Sequence, residues 1–182
     1  MLILASSSPR RAYLLSMIGL DFRVLYPTCD ETLPHDIHPE EAVRRLSTRK
    51  ADWAQSHCNS EDTIIAADTL VFQDGRTMGK PEDEHEAHAM LRALSGAAHE
   101  VYTGLAVRRD GVTKADTQMT RVFFRVLSDT EIQQYIHTGE PMDKAGAYGI
   151  QDRGALFVSR IEGDFYNVMG LPLCLLSRML RL

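Results

Sequence analysis

Leu2-Ile3-Leu4-Ala5-Ser6-Ser7-Ser8-Pro9-Arg10-Arg11, continued by Ala12-Tyr13-Leu14-Leu15-Ser16-Met17-Ile18-Gly19, is the stretch on which the fold turns. The apolar run Leu2 to Ala5 reads as a short buried strand, and the three serines after it as a loop. Pro9 presets the backbone dihedral of a first helical position, and Gly19 offers the left-handed residue that ends a helix, so Pro9 to Ile18 reads as a helix. A strand, a polar loop and a helix thus open the domain.

Working outward, Phe22 to Tyr26 is a second strand candidate, followed by a polar loop holding Cys29-Asp30-Glu31-Thr32. Val43, Leu46, Lys50 and Trp53 recur at three- and four-residue spacings, which predicts a helix from Pro39 to about Gln55 with Lys50 on its apolar stripe. Thr63 to Ala67 is an apolar strand that runs into Asp68-Thr69, and Leu70 to Phe72 continues it to the hairpin turn Asp74-Gly75. Asp83 to Ser95 reads as a helix closed by Gly96, and strands 100–108 and 112–126 flank the turn Asp110-Gly111. Ser128 and Glu131 match a capping box for a helix ending near Gly139. A strand at 154–158 and a helix after Pro172 complete the chain. Strands and helices mix throughout, without an internal repeat, so the class is α/β.

With 182 residues the chain suits one domain, 1–182, able to bury roughly 70% of its unfolded surface. Hydrophobic residues make up 44% and charged residues 25%, ordinary values for a chain that folds throughout. A formal charge of -5 argues against nonspecific binding to nucleic acid or a membrane surface. Any polyanionic ligand must therefore meet locally clustered cations. Cys29, Cys58 and Cys174 are odd in number, far apart and without a CxxC pair, which fits a reducing compartment better than a disulfide framework. No secretory signal or membrane span is legible, so the cytoplasm follows by elimination.

Several side chains could carry chemistry. Ser6, Ser7, Ser8, Arg10 and Arg11 place hydroxyls and guanidinium groups at a helix start, where backbone N–H groups and the helix dipole favour phosphate; a serine cap beside solvated arginines is the plainer reading. Lys50 needs an acid or a cleft if it is buried, or else snorkels past the edge of its stripe. Asp68 sits where a strand former is expected: it either binds metal and activates water or caps the following turn. Lys80, in Gly79-Lys80-Pro81, is either a phosphate contact or a solvated turn lysine. The pairs His35/His38 and His85/His88 lack further metal ligands at diagnostic spacing and read as solvated. Tyr135 and Tyr148 read as core.

Leu4-Ala5-Ser6-Ser7-Ser8-Pro9-Arg10-Arg11 resembles the opening signature of the Maf family of nucleotide pyrophosphatases. Asp30-Glu31, Arg49-Lys50-Ala51, Ala67-Asp68-Thr69, Gly79-Lys80-Pro81, Leu94-Ser95-Gly96, the run Asp143 to Gln151 and Gly170-Leu171-Pro172-Leu173 resemble further family blocks in order, over nearly the whole chain. The resemblance implies an elongated, twisted mixed sheet flanked by helices, with two lobes around a cleft, akin to inosine triphosphate pyrophosphatases. It implies hydrolysis of a nucleoside triphosphate to monophosphate and pyrophosphate with a divalent metal cation, Mg²⁺ or Mn²⁺, and it carries the expectation of a homodimer.

At matching positions Asp68 becomes the proton acceptor, with Glu31 its partner in holding metal. Ser6, Ser8, Arg10, Arg11, Lys50 and Lys80 surround the phosphates. Arg10, Thr69 and Gln151 match positions tied to dTTP and UTP. Asp152-Arg153 and Asp164-Phe165 depart from the family pattern, which bears on base selectivity more than on reaction type. The competing expectations are a pyrophosphatase of 7-methyl-GTP or other modified nucleotides, and a non-catalytic nucleotide-binding regulator of septum formation.

Overall fold

A computed structural model describes residues 1–34 and 36–182; His35 lies outside the described residues. The elements in chain order are β1 (Leu2–Ala5), α1 (Pro9–Met17), β2 (Arg23–Leu25), α2 (Pro39–Gln55), β3 (Thr63–Gln73), β4 (Arg76–Met78), α3 (Glu84–Leu94), β5 (Ala98–Arg109), β6 (Val112–Phe124), α4 (Asp129–Ile136), β7 (Val158–Glu162), α5 (Phe165–Val168) and α6 (Leu173–Leu180), with three short 3₁₀ turns between α4 and β7. Seven strands form one mixed sheet in the order β2-β1-β3-β5-β6-β7, with β4 paired to β3. The expected class, a mixed sheet flanked by helices, is what folds.

The chain divides into two compact units. The first comprises Met1–Thr69, Tyr102–Gln118 and Tyr166–Leu182. In it β1 pairs in parallel with β2 on one side and β3 on the other. Because α1 leads from β1 to β2 and α2 leads back to β3, the connections diverge between β1 and β3, a topological switch point of the kind where open α/β sheets bind ligands at the carboxyl ends of their strands. Ile3, Ala5, Ile64, Ala66, Ala51, Ala54 and Ala106 form a core cluster there. Small residues let α2 lie close on the sheet. A Cβ at Gly104 of β5 would stand 2.2 Å from the Val43 carbonyl oxygen, so only glycine permits that approach.

The second unit comprises Leu70–Val101 and Met119–Phe165. The turn Asp74-Gly75 has both residues at positive φ, as a type I′ hairpin between β3 and β4 requires. Asp83 caps α3 by accepting from the Glu86 N–H, and Ser128 with Glu131 makes the full capping box on α4. Tyr135 and Tyr148 are buried, as expected, in an aromatic cluster with Phe124, Phe157 and His99.

One expected element moves. The segment read as a strand at 154–158 is a 3₁₀ turn, Arg153–Phe157, and the strand is Val158–Glu162, antiparallel to β6. The apolar letters Ala155-Leu156-Phe157 mislead: Leu156 is exposed while Gly154 packs within reach of the Gly149 backbone and the Tyr135 hydroxyl. β7 carries a polar, half-exposed sequence, which suits the edge of the sheet. Among the described residues no helix is long and apolar enough to cross a membrane.

Candidate active site

The switch point in the first unit gathers the loop after β1, the loop before α2, one face of α2 and the middle of β3. β1 ends at Ala5, opposite Ala66, so Asp68 and Thr69 extend beyond it along β3. This places Asp68 inside a strand rather than at a strand end. Lys50 reaches it from α2, where Ala42, Val43, Leu46, Ser47, Ala51 and Ala54 share the buried stripe. The snorkelling alternative is thereby excluded: the Lys50 side chain is 10% exposed and its ammonium hydrogen-bonds Asp68 Oδ1, itself 12% exposed. The same ammonium lies 2.9 Å from Glu31 Oε1. Lys50 thus bridges two carboxylates that stand far apart in the sequence. β3 runs on through Asp68 to Gln73, so no turn follows Asp68 for it to cap.

Glu31 is exposed, and its loop is fixed from α2. Arg49 Nη1 donates to the carbonyls of Asp30, at 3.2 Å, and Thr32, at 2.7 Å, straddling Glu31. Sequence reading gave Arg49 no role, since an arginine beside a buried lysine looks like a solvated neighbour; only its place next to Lys50 on α2 hints that it faces the same loop.

Arg11 is latched rather than free to move. Its Nε donates to the Gly170 carbonyl at 2.7 Å, Nη1 to Ser6 Oγ at 3.1 Å and Nη2 to Thr69 Oγ1 at 3.0 Å. Thr103 donates to the Asn167 carbonyl, so the 2.9 Å contact between Thr69 and Thr103 leaves Thr69 as donor there. The result is a relay from Arg11 through Thr69 and Thr103 to Asn167. Burial pulls the Arg11 guanidinium below its ordinary pKa, and the negative charge of Asp68 opposes that shift. Ser6 is buried and also accepts from the Ser8 N–H at 3.1 Å, which shapes the serine loop. Ser8 occupies the cap position of α1 without a side-chain cap bond. Arg10 is half-buried at the same helix start.

Lys80 and Gln151 belong to the second unit. Lys80 is exposed in the turn after β4, where the Gly79 carbonyl accepts from the Gly146 N–H at 2.9 Å. Gln151 is half-buried, and its Nε2 donates to Asp152 Oδ2 at 3.1 Å. His85 is exposed, and the half-buried His88 stands 3.5 Å from Asp129.

The donor set suits a hard divalent cation of a particular kind. Mg²⁺ is commonly held by one or two carboxylates and completed by waters and substrate phosphate oxygens. Asp68 and Glu31, which converge on one ammonium, fit that description. Among the described residues no group of three or more His, Cys, Asp or Glu converges into an all-protein cage.

Known proteins place the chain. A "dTTP/UTP pyrophosphatase" of Geobacillus sp. is 51% identical over 172 residues, covering 94% of this chain and 92% of the relative. Another of that name, from Halalkalibacterium halodurans, is 48% identical over 181 residues, covering 99% and 94%. The structure of the Staphylococcus aureus Ham1 protein aligns with a TM-score of 0.52 at 15% identity over 99% of this chain and 97% of that one, a likeness of fold. With the family model for Maf-like protein matching residues 1–182, the chain belongs to the Maf family.

Proposed function

We propose that the chain hydrolyses nucleoside triphosphates between the α and β phosphates, with dTTP and UTP as preferred substrates. The single observation that carries this reading is the buried Lys50 ammonium bridging Asp68 and Glu31 at the switch point. It explains why a costly buried charge and a strand-breaking Asp occur together. The names of the relatives at 51% and 48% identity supply the substrates.

In this reading Asp68 accepts the proton of the attacking water, and Asp68 with Glu31 would hold Mg²⁺ or Mn²⁺. When bound, the metal neutralises charge on nonbridging phosphate oxygens. Lys50, Ser8, Arg10 and Lys80 supply phosphate contacts. Ser6, Arg11 and Thr69 act more rigidly: their mutual hydrogen bonds fix the serine loop against β3, so the phosphate-facing groups are preorganised. Gln151 reads the pyrimidine edge. The homodimer remains part of the proposal, as does the cytoplasm, where free Cys29, Cys58 and Cys174 suit reducing conditions.

The test is pyrophosphate release from dTTP, UTP, CTP, GTP, ATP and 7-methyl-GTP with Mg²⁺ or Mn²⁺. The highest kcat/KM is expected for dTTP and UTP. Orthophosphate in place of pyrophosphate, or binding without turnover, overturns the reaction; a 7-methyl-GTP maximum overturns the substrate.

A further inference from the structure

Two cations of the first unit face Asp68 in different ways. The Arg11 guanidinium is held through three nitrogens by Ser6, Thr69 and the Gly170 carbonyl, and cannot swing without breaking all three bonds. Lys50 is held through one atom. Its stem packs in the stripe of α2, and among the described residues its ammonium contacts two groups that could themselves bind a divalent cation, Asp68 and Glu31. A flexible four-carbon stem ending in a point charge can pivot between partners, as a planar fork cannot.

We propose that Lys50 is a place-holding cation. Without nucleotide it occupies the two carboxylates and keeps a divalent metal from binding tightly; when a triphosphate arrives, the ammonium exchanges carboxylate oxygens for phosphate oxygens and releases Asp68 and Glu31 to the metal. The electrostatics require some such exchange. Two carboxylates with one ammonium carry a single net negative charge, and a divalent ion set beside an ammonium meets strong repulsion in a partly buried site. A phosphate chain relieves this because it offers Lys50 a new anionic partner. Metal and nucleotide then bind with positive coupling, and by linkage each raises the affinity for the other.

The identity of the second partner rests on the proposed function; the competition between Lys50 and metal does not. The experiment is therefore Mn²⁺ binding by calorimetry without nucleotide, on the wild-type protein, Lys50→Met, Lys50→Arg and the double variant Lys50→Met/Glu31→Gln. Lys50→Met is expected to bind Mn²⁺ about tenfold tighter or more, because the competing charge is gone. Lys50→Arg should bind no tighter than wild type, and the double variant should lose most of the gain. Unchanged or weaker Mn²⁺ binding by a folded Lys50→Met overturns the proposal.

Should that variant not fold, the wild-type protein still decides. Lys50, Lys80, Lys114 and Lys144 are the chain's lysines, so side-chain Cε resonances of lysine-labelled protein are few enough to follow. Mg²⁺ with α,β-imido-dUTP should move the Lys50 signal and leave Lys144, paired with Asp143, in place. A Lys50 signal that moves with neither Mg²⁺ nor the analogue overturns the exchange. Tighter Mn²⁺ binding by Lys50→Met in a protein that releases no pyrophosphate would uphold the competition while removing the proposed function.

Discussion

The two units each bury a lysine, and the two lysines are satisfied in opposite ways. Lys144, with a side chain 9% exposed, donates to the Glu140 carbonyl at 2.6 Å and to Asp143 at 2.8 Å, partners within four residues of it. Its stem fills the space beside Gly149, where a Cβ would meet Lys144 Cε at 2.7 Å. Lys50 finds its partners 18 and 19 residues away, on β3 and on an exposed loop. A charge neutralised by its own turn stabilises that turn. A charge that draws in two carboxylates from separate elements creates a site, because the same carboxylates can serve another cation. Burial of a lysine is thus no marker of function by itself; the sequence distance and chemistry of its partners are.

The largest expected effect tests the Lys50 side. Asp68→Asn nearly preserves volume and keeps an acceptor for Lys50, but it cannot take up a proton at neutral pH. Loss of a general base typically costs 10²- to 10⁴-fold, so kcat for pyrophosphate release should fall by about that factor while the thermal midpoint moves little. Turnover within a few-fold of wild type would place the base elsewhere and leave the Lys50 bridge merely structural.

The Lys144 side predicts the converse. Lys144→Met keeps the packing beside Gly149 but removes charge-assisted bonds to Glu140 and Asp143, a loss of about 1–3 kcal/mol. For a chain of this size that corresponds to a Tm lower by roughly 2–12 °C. Pyrophosphate release measured well below the midpoint should fall far less than in Asp68→Asn. A variant as stable as wild type but inactive would erase the distinction between the two lysines.

His99 extends the structural half of the comparison. It is 2% exposed, its Nε2 lies 2.7 Å from the Tyr148 hydroxyl, and its Nδ1 has no partner among the described residues. Burial among Phe124 and Tyr148 lowers its pKa from 6.5 to about 4. The folded state therefore binds fewer protons than the unfolded one between those values. The neutral His99 contributes its full stability above about pH 6.5, and the contribution is lost as pH falls toward 4. At pH 5 the loss is roughly 2 kcal/mol, or about 4–8 °C in Tm. Comparing Tm at pH 7.5 and 5 for wild type and His99→Gln checks this; an equal drop in both proteins would assign the acid sensitivity to other groups.

What the sequence discloses follows from how local each cause is. Helix α2 is legible to the residue because Pro39 and a regular stripe are local signals, and both two-residue turns announce themselves through Asp-Gly. Ser128 and Glu131 likewise carry their capping box in four letters. The 3₁₀ turn at Arg153–Phe157 is misread because three apolar letters look alike on a strand and on a turn whose glycine is buried. At the site, the anomaly of Lys50 and of Asp68 is legible residue by residue, but their union is not, since nothing local couples α2 to β3. Arg49 and Thr103 are invisible for the same reason: one acts on loop carbonyls and the other relays a hydrogen bond from Thr69 to a backbone oxygen. His99 sits at the start of a long strand with no pattern to distinguish it from an exposed histidine.

The smallest effect concerns base choice. Gln151 offers an amide donor and a carbonyl acceptor, which can complement the acceptor, donor and acceptor edge shared by thymine and uracil. Its Nε2 already donates to Asp152 Oδ2 at 3.1 Å, and Asp152 stands at a position where the family resemblance leads one to expect glycine. That bond orients the amide. A Gln151→Glu change removes the donor and sets two carboxylates against one another, so the new side chain must turn away from Asp152 or take up a proton. The dTTP over GTP ratio of kcat/KM should then fall by about tenfold, the scale of one hydrogen bond's net contribution. Adding Asp152→Gly removes the opposing charge and should recover part of the lost turnover without restoring the ratio, because the amide donor is still missing. Full recovery of the ratio in that double variant would mean that Asp152, and not Gln151, sets the preference, while an unchanged ratio in the single variant would remove Gln151 from base recognition and leave Lys50, Asp68 and Glu31 untouched.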